Sequence, residues 1–338
     1  MKAAVIGAGS WGTAASRLLA TNVESVVLWA RDPNTATAIA TTRENARYLP
    51  GVALPAELEV TASLEVACTG ADIVVLAVPS HGLRDVLGQA APFIGATAIL
   101  VSLAKGLEAE RDLRMSEVIV DVLGNAFTRR TGVLTGPNLA REVAAGQPTA
   151  SVVSIPDSAA ARLAQSAFMT PTFRVYTNPD VVGCEVAGVV KNVIAIAAGA
   201  ASGLGYGANT MAALLTRGLA EMARLGTTLG GDPLTFAGLA GMGDLVATCT
   251  SEQSRNRTVG VELGRGRSID EIVADMHMVA EGVKSTRAVL ALAHRHVVDM
   301  PIAEQVGAML YERCRASDLV AMLMAREAKA ELQGLERS

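Results

Sequence analysis

Three hundred and thirty-eight residues are enough for two domains, each with its own core, and short for three. Half the residues are hydrophobic but only 3% are aromatic, so the apolar mass is aliphatic; charged residues are 18% and the net charge is −4. Such a chain has ample apolar surface to offset its ordering entropy, which excludes intrinsic disorder, and it exerts no overall pull on nucleic acid.

In chain order, the first expected element is a strand over 3–6. Gly7, Gly9 and Gly12 follow it and open a helix over 11–21, with Ser10 and Trp11 in the turn. The GxGxxG spacing is weak alone. Between a strand and a helix it marks a dinucleotide site, because the glycines allow a tight turn and let a pyrophosphate approach the helix N-terminus. Lys2 ahead of the apolar run imitates a secretory leader. Glycines and Arg17 interrupt that run and no cleavage region follows, so no export is expected and the compartment is cytoplasmic. A second strand over 25–29 leads to Arg31 and Asp32. Arg31 stands where a guanidinium pairs with a 2′-phosphate, whereas Asp32 either binds ribose hydroxyls or caps the next helix. NADP is therefore the expected cofactor, with NAD retained as a second.

Further strands are expected over 72–77, 97–101, 132–134, 149–154 and 173–176, with helices such as 113–123 between them. Alternation of strands and helices implies an α/β fold with a Rossmann-like, mostly parallel sheet. Past Asn178, Pro179 and Asp180 the strand signal stops. Helices are expected over 181–201, 211–225, 234–239, 257–264, 269–276, 286–296, 301–311 and 316–323. The expected division is a dinucleotide-binding domain over 1–180 and an all-helical substrate and catalytic domain over 181–338.

Two stretches, 86–104 and 192–216, carry no charged residue and raise the question of a membrane span. Gln89, Pro92 and Gly95 break the first, while Asn192, Ser202, Asn209 and several glycines break the second. Buried helices and turns are expected there rather than a span. Cys68, Cys184, Cys249 and Cys314 have no CxxC spacing, and the four histidines have no ligand spacing. No structural zinc or other metal is expected.

Two lysines lie in apolar settings. Lys105 follows the strand over 97–101, at the strand end where open α/β sheets place ligands. Lys191 sits in a helix nearly free of charge. A snorkelling or salt-bridged structural lysine is one reading of each. The other is a desolvated lysine exchanging a proton with a carbinol oxygen. Asp244 supplies a carboxylate just after Gly241 and Gly243. Ser254, Arg255 and Asn256 supply consecutive donors at a helix start, which read equally as a phosphate cradle or as a cap and a solvated basic turn.

The ordered set of motifs resembles the bacterial NAD(P)-dependent glycerol-3-phosphate dehydrogenase family. It includes Gly7 to Gly12, Tyr48 to Gly51, Val78-Pro-Ser80, Ser102 to Glu108, Gly136-Pro-Asn138, Val190 to Ala197, Thr216 to Glu221, Gly241 to Thr250, Ser254 to Asn256 and Val279 to Gly282. The resemblance implies an oxidoreductase interconverting dihydroxyacetone phosphate and sn-glycerol 3-phosphate with NAD(P)H, feeding phospholipid synthesis, and a homodimer. It implies cofactor contacts at Gly7, Gly9, Ser10, Trp11, Gly12, Arg31, Tyr48, Lys105, Ala140, Arg255, Val279 and Glu281. Substrate contacts fall on Lys105, Gly136, Asn138, Lys191, Asp244, Ser254, Arg255 and Asn256. Lys191 takes the proton-transfer role, with Lys105 and Asp244 assisting it. The chain departs from the family at Asn138, where many relatives have Ser, and at Ser202, Ala208 and Met211, where Asp, Asp and Lys are common. A 3-hydroxyacid or ketopantoate-type reductase is the alternative within enzymes. A non-catalytic NADPH-sensing protein is the alternative outside them.

Overall fold

The computed structural model describes residues 1–108, 110–276, 280–325 and 327. Contacts divide the chain into two compact units. The first is Met1–Lys105 with Leu113–Val181; the second is Gly106–Asp112 with the chain from Val182 onward.

The first unit is built on one eight-stranded sheet. Its strands are β1 (Lys2–Ile6), β2 (Ser25–Trp29), β3 (Glu59–Thr61), β4 (Ile73–Leu76), β5 (Ile99–Ser102), β6 (Thr131–Thr135), β7 (Thr149–Ser154) and β8 (Phe173–Asn178). Their order across the sheet is β8-β7-β6-β5-β4-β1-β2-β3. Alternate residues of β1 enter different cores: Ala3 and Val5 pack in one, Ala4 and Ile6 in the other. Burial on both faces is why these strands read as unbroken apolar runs rather than as alternating patterns. The strand order reverses at β1, between β2 and β4, so the turn after β1 lies at the switch point where such sheets bind ligands.

The sheet is mostly parallel, as expected, with one exception. β7 runs antiparallel to β6, pairing Val133 with Ser154 and Thr135 with Val152. The β6–β7 connection holds only the five-residue helix Ala140–Ala144, and the chain returns beside β6 instead of crossing a face of the sheet. The edge strand β3 went unread in the sequence. It is three residues long and none of them is buried, so it carries no apolar run.

Helices of this unit include α1 (Ser10–Leu19), which follows β1, and α2 (Pro33–Thr42), which follows β2. The second unit is helical. Its main elements are α3 (Val181–Gly203), α4 (Ala208–Thr228), α5 (Asp244–Thr250), α6 (Arg255–Gly264), α7 (Glu281–Arg295) and α8 (Pro301–Tyr311). Among the described residues, α3 is the one helix long and apolar enough to cross a membrane, and 89% of its apolar window is buried. It is a core helix. Its second half meets α6 backbone to backbone: a Cβ on Gly199 would stand 2.1 Å from the Arg257 carbonyl oxygen, and one on Gly260 would stand 2.0 Å from that of Ile196. Only glycine permits that approach, which brings the start of α6 against the Lys191–Asn192 segment of α3.

The family-like motif ending at Glu221 has a structural task. Glu221 is fully buried on α4 and accepts from the Ile302 (2.7 Å) and Ala303 (3.2 Å) backbone N–H groups at the start of α8. Burial pushes its carboxyl up to about 7 from 4.5, against the opposing pull of those two N–H groups. The folded chain therefore holds a proton that the unfolded chain releases between those two values. Stability falls as pH rises through that window, by on the order of 3 kcal/mol for this group alone. Thermal midpoints of the wild type and Glu221→Gln, measured from pH 4.5 to pH 8, should diverge as the wild type declines. Parallel curves would remove Glu221 from the pH response.

Candidate active site

In the first unit, the turn between β1 and α1 is shaped by its glycines in two different ways. Gly7 has φ +121° and a Cβ there would stand 2.7 Å from the Ala77 carbonyl oxygen; one on Gly12 would stand 1.9 Å from that of Gly7. Both are required by the fold. A Cβ on Gly9 would meet nothing within 4 Å among the described residues. The protein's own packing does not need glycine there, and the space over the helix start stays clear for a ligand. Gly9 is the N-cap of α1 and supplies no side-chain cap. The first N–H groups of α1 thus lack an intrahelical partner. Asp32, Asp157 and Ser254 by contrast cap their helices with side-chain oxygens. An uncapped helix start beneath an open glycine fits a dinucleotide pyrophosphate.

The turn is braced from outside. Asn45, buried, donates to the Ala8 carbonyl (2.9 Å) and to Thr13 Oγ1 (2.8 Å). Ser10 Oγ donates to the Tyr48 carbonyl at 2.6 Å, while the Arg47 guanidinium lies 5.2 Å from the Tyr48 ring centre. Trp11 packs at 6.2 Å from the Phe173 ring and joins Ala140 against Ala14, Leu49 and Ala144. The buried Trp11 Nε1 has no hydrogen-bond partner among the described residues. Asn45 carries no sequence signal, since a lone Asn in a loop looks like any turn residue.

Beyond β2, Arg31 is exposed and lines a cleft with Trp29, Ser63, Leu64 and Phe93. Asp32 caps α2: Oδ1 accepts from Asn34 N (3.2 Å), and Oδ2 accepts from Thr35 N (3.1 Å) and Thr35 Oγ1 (2.6 Å). The Thr35 hydroxyl and the Asn34 N–H hold its carboxyl below the usual range. Of the two roles open to Asp32 in the sequence, the cap is the one seen.

At the carboxyl end of β5, Lys105 Nζ donates to the Gly136 carbonyl (3.1 Å) and to Asn138 Oδ1 (2.9 Å). The three residues expected to share the substrate in this half are thus bonded to one another. Asn138 also donates through Nδ2 to Ser151 Oγ at 3.1 Å. Ser151 was missed; in sequence it is one more strand residue.

In the second unit, Lys191 is 5% exposed and Asp244 2%. Lys191 Nζ donates to Asp244 Oδ1 (2.7 Å) and Thr248 Oγ1 (2.6 Å), and the Thr248 hydroxyl donates to Asp244 Oδ1 (3.2 Å). Asp244 begins α5 directly after a π-helical turn, Leu239–Gly243, a distortion common at functional sites. Thr248, four residues on, shares its face of α5, a spacing that could have marked it as a partner. Neighbouring Cys249 is fully buried, and burial pushes its thiol up to about 12. A neutral thiol of that kind is no nucleophile.

At the start of α6, Ser254 caps the helix by accepting from Arg257 N (3.3 Å), and Arg255 is exposed. Asn256 is buried, donating through Nδ2 to Asn192 Oδ1 (2.9 Å) and accepting at Oδ1 from Gly282 N (2.9 Å). It ties α3 to the first turn of α7, where Glu281 is the leading residue. Val279 lies outside the described residues. Among the described residues no cluster of His, Cys, Asp and Glu suits a metal ion.

Two family models match the chain. The N-terminal model of NAD-dependent glycerol-3-phosphate dehydrogenase covers residues 2–161, and the C-terminal model covers 180–321. A glycerol-3-phosphate dehydrogenase (NAD(P)+) of Pelotomaculum thermopropionicum is 49% identical over 332 residues, 98% of this chain and 95% of that protein. One from Streptomyces coelicolor is 52% identical over 331 residues, 98% of each chain. The crystal structure of glycerol-3-phosphate dehydrogenase from Coxiella burnetii superposes with a TM-score of 0.91 at 37% identity, covering 96% of this chain and 99% of that one. A ketopantoate reductase from Ralstonia eutropha, at 16% identity and a TM-score of 0.57, shares the fold alone.

Proposed function

The chain belongs to the NAD-dependent glycerol-3-phosphate dehydrogenase family, and on that premise we propose that it reversibly reduces dihydroxyacetone phosphate to sn-glycerol 3-phosphate. The observation that carries the proposal is the buried ammonium of Lys191, aimed by Asp244 and Thr248. A protein that only sensed a nucleotide would not need such a proton donor.

The residues divide the work, with 1–180 holding most of the cofactor and 181–338 supplying the proton. Gly7, Gly9, Gly12 and the N–H groups of Ser10 and Trp11 would hold the pyrophosphate, with Tyr48 and Ala140 beside them and Arg31 at the 2′ position. Val279, Glu281 and Arg255 would complete the cofactor contacts. The nicotinamide, when bound, would supply the hydride for the C2 carbonyl carbon of the substrate. Lys191 gives a proton to the carbonyl oxygen as it becomes an alkoxide, and the secondary alcohol results; oxidation reverses both transfers. Asp244 and Thr248 fix the ammonium by accepting two of its hydrogens, so little reorganisation accompanies the transfer. Lys105, held by Gly136 and Asn138, adds positive field where the oxyanion grows. Ser254, Arg255 and Asn256 would hold the phosphate, Arg255 through its fork of donors. NADP is the preferred cofactor, with NAD as a second, because Arg31 is exposed while the Asp32 carboxylate is engaged as a cap. The same proposal makes the enzyme a cytoplasmic homodimer serving phospholipid synthesis.

A substrate panel tests it. NADPH and NADH oxidation is followed with dihydroxyacetone phosphate, dihydroxyacetone and ketopantoate, with cofactor binding measured alongside. Turnover confined to the phosphorylated ketone is expected. Preference for ketopantoate would favour the rival reductase, and binding without any turnover would favour a sensor.

A further inference from the structure

Ser151 lies in the middle of β7, opposite Val175 in the ladder with β8, and is fully buried. Its Oγ accepts from Asn138 Nδ2, and Asn138 Oδ1 accepts from the Lys105 ammonium. A primary amide can turn over with almost no change of shape, exchanging its oxygen and its NH2. An ammonium has donors only, so a turned amide would set N–H against N–H. The lysine therefore decides which end of the amide must face it. Something else must hold the buried amide in that plane, because Nδ2 without an acceptor would pull the side chain elsewhere.

The anchor is well placed for that task. Its backbone is fixed by hydrogen bonds to the neighbouring strand, whereas Asn138 stands on the irregular segment between β6 and the helix Ala140–Ala144. Groups supported from regular elements keep their geometry more closely than groups supported from loops. We propose that Ser151 is a positioning residue: its sheet-borne hydroxyl fixes the Asn138 amide, and through it the direction of the Lys105 ammonium toward the substrate. This rests on the reduction of dihydroxyacetone phosphate proposed above.

Ser151→Ala removes the acceptor, and Ser151→Cys keeps the shape while substituting a weak one. Either variant should lower kcat/KM for dihydroxyacetone phosphate about tenfold and leave KM for NADPH near wild type, with a modest fall in thermal midpoint from the buried Asn138 Nδ2 that loses its acceptor. In an Asn138→Ala background, Ser151→Ala should have no further effect, since the amide it positions is gone. An unchanged kcat/KM for dihydroxyacetone phosphate in an active enzyme, or an equal loss in both backgrounds, would overturn the positioning role. Should Ser151→Ala fail to fold, Ser151→Cys is judged by the same two results. A wild-type chain inactive on dihydroxyacetone phosphate would instead defeat the functional proposal. Exchange of the Asn138 side-chain amide hydrogens, followed by NMR, decides the positioning independently of turnover. Protection in the wild type and its loss in Ser151→Ala are expected; equal protection in both would overturn it.

Discussion

Lys191→Ala is expected to lower kcat by about 10²–10⁴-fold, the usual range for a positioned acid–base group, while cofactor affinity stays near wild type. Two effects combine in that variant and must be separated. The lysine is one half of a buried pair, and its removal takes the ammonium from Asp244, which is 2% exposed, with Thr248 as a remaining donor. Breaking a buried ion pair by removing one partner costs about 3–5 kcal/mol, so the variant should also melt earlier. The double variant Lys191→Ala with Asp244→Ala removes both charges and should regain much of the lost stability. It should not regain turnover, because no proton donor has been restored. If Lys191 were only structural, activity would return with stability. Near-wild-type kcat in the single variant would refute the proton-transfer role outright.

The expectations met best by the structure are those with a local physical cause. The strands of the first unit are buried on both faces, so each is an apolar run visible without knowing its neighbours. The turn at Gly7, Gly9 and Gly12 is visible because backbone geometry there admits few residue types. The apolar, nearly charge-free α3 is visible as a core helix once its polar and glycine interruptions are weighed against the length of a span. What stayed hidden is set by partners distant in the chain. Lys191 and Asp244 are 53 residues apart and are joined in the sequence only by the family resemblance, while Asn192 and Asn256, 64 apart, are not joined at all. Neither separation leaves a periodic trace. Asn45 and Ser151 are ordinary in sequence and become informative only through what they bond. The antiparallel return of β7 depends on how a short connection runs in space, which the composition of the strand does not record. Asn256 shows the reverse case: it stands out as a donor beside Ser254 and Arg255, yet its amide is engaged in joining α3 to α7.

Selection between the two dinucleotides should rest on Arg31, and Arg31→Ala is expected to cut kcat/KM for NADPH by about 10–150-fold with little change for NADH. That range corresponds to the roughly 1.5–3 kcal/mol carried by a hydrogen bond to a charged group. The arrangement around Asp32 is what makes the effect one-sided. Its two oxygens accept three hydrogen bonds from Asn34 and Thr35, and these keep the carboxyl ionised. The negative charge next to Arg31 therefore persists when the guanidinium is removed, and it then opposes a 2′-phosphate with no cation to offset it. NADH lacks that phosphate and should be indifferent. Arg31→Lys keeps the charge but loses the planar fork, so it should fall between wild type and alanine. Because Arg31 is exposed, its contribution should weaken with added salt, and the NADPH advantage of the wild type should shrink accordingly. Asp32→Ala is the complementary case. It removes the cap of α2, at about 1 kcal/mol of stability, and should raise rather than lower the preference for NADPH. Unaltered NADPH use by Arg31→Ala at low salt would move cofactor selection away from this cleft altogether.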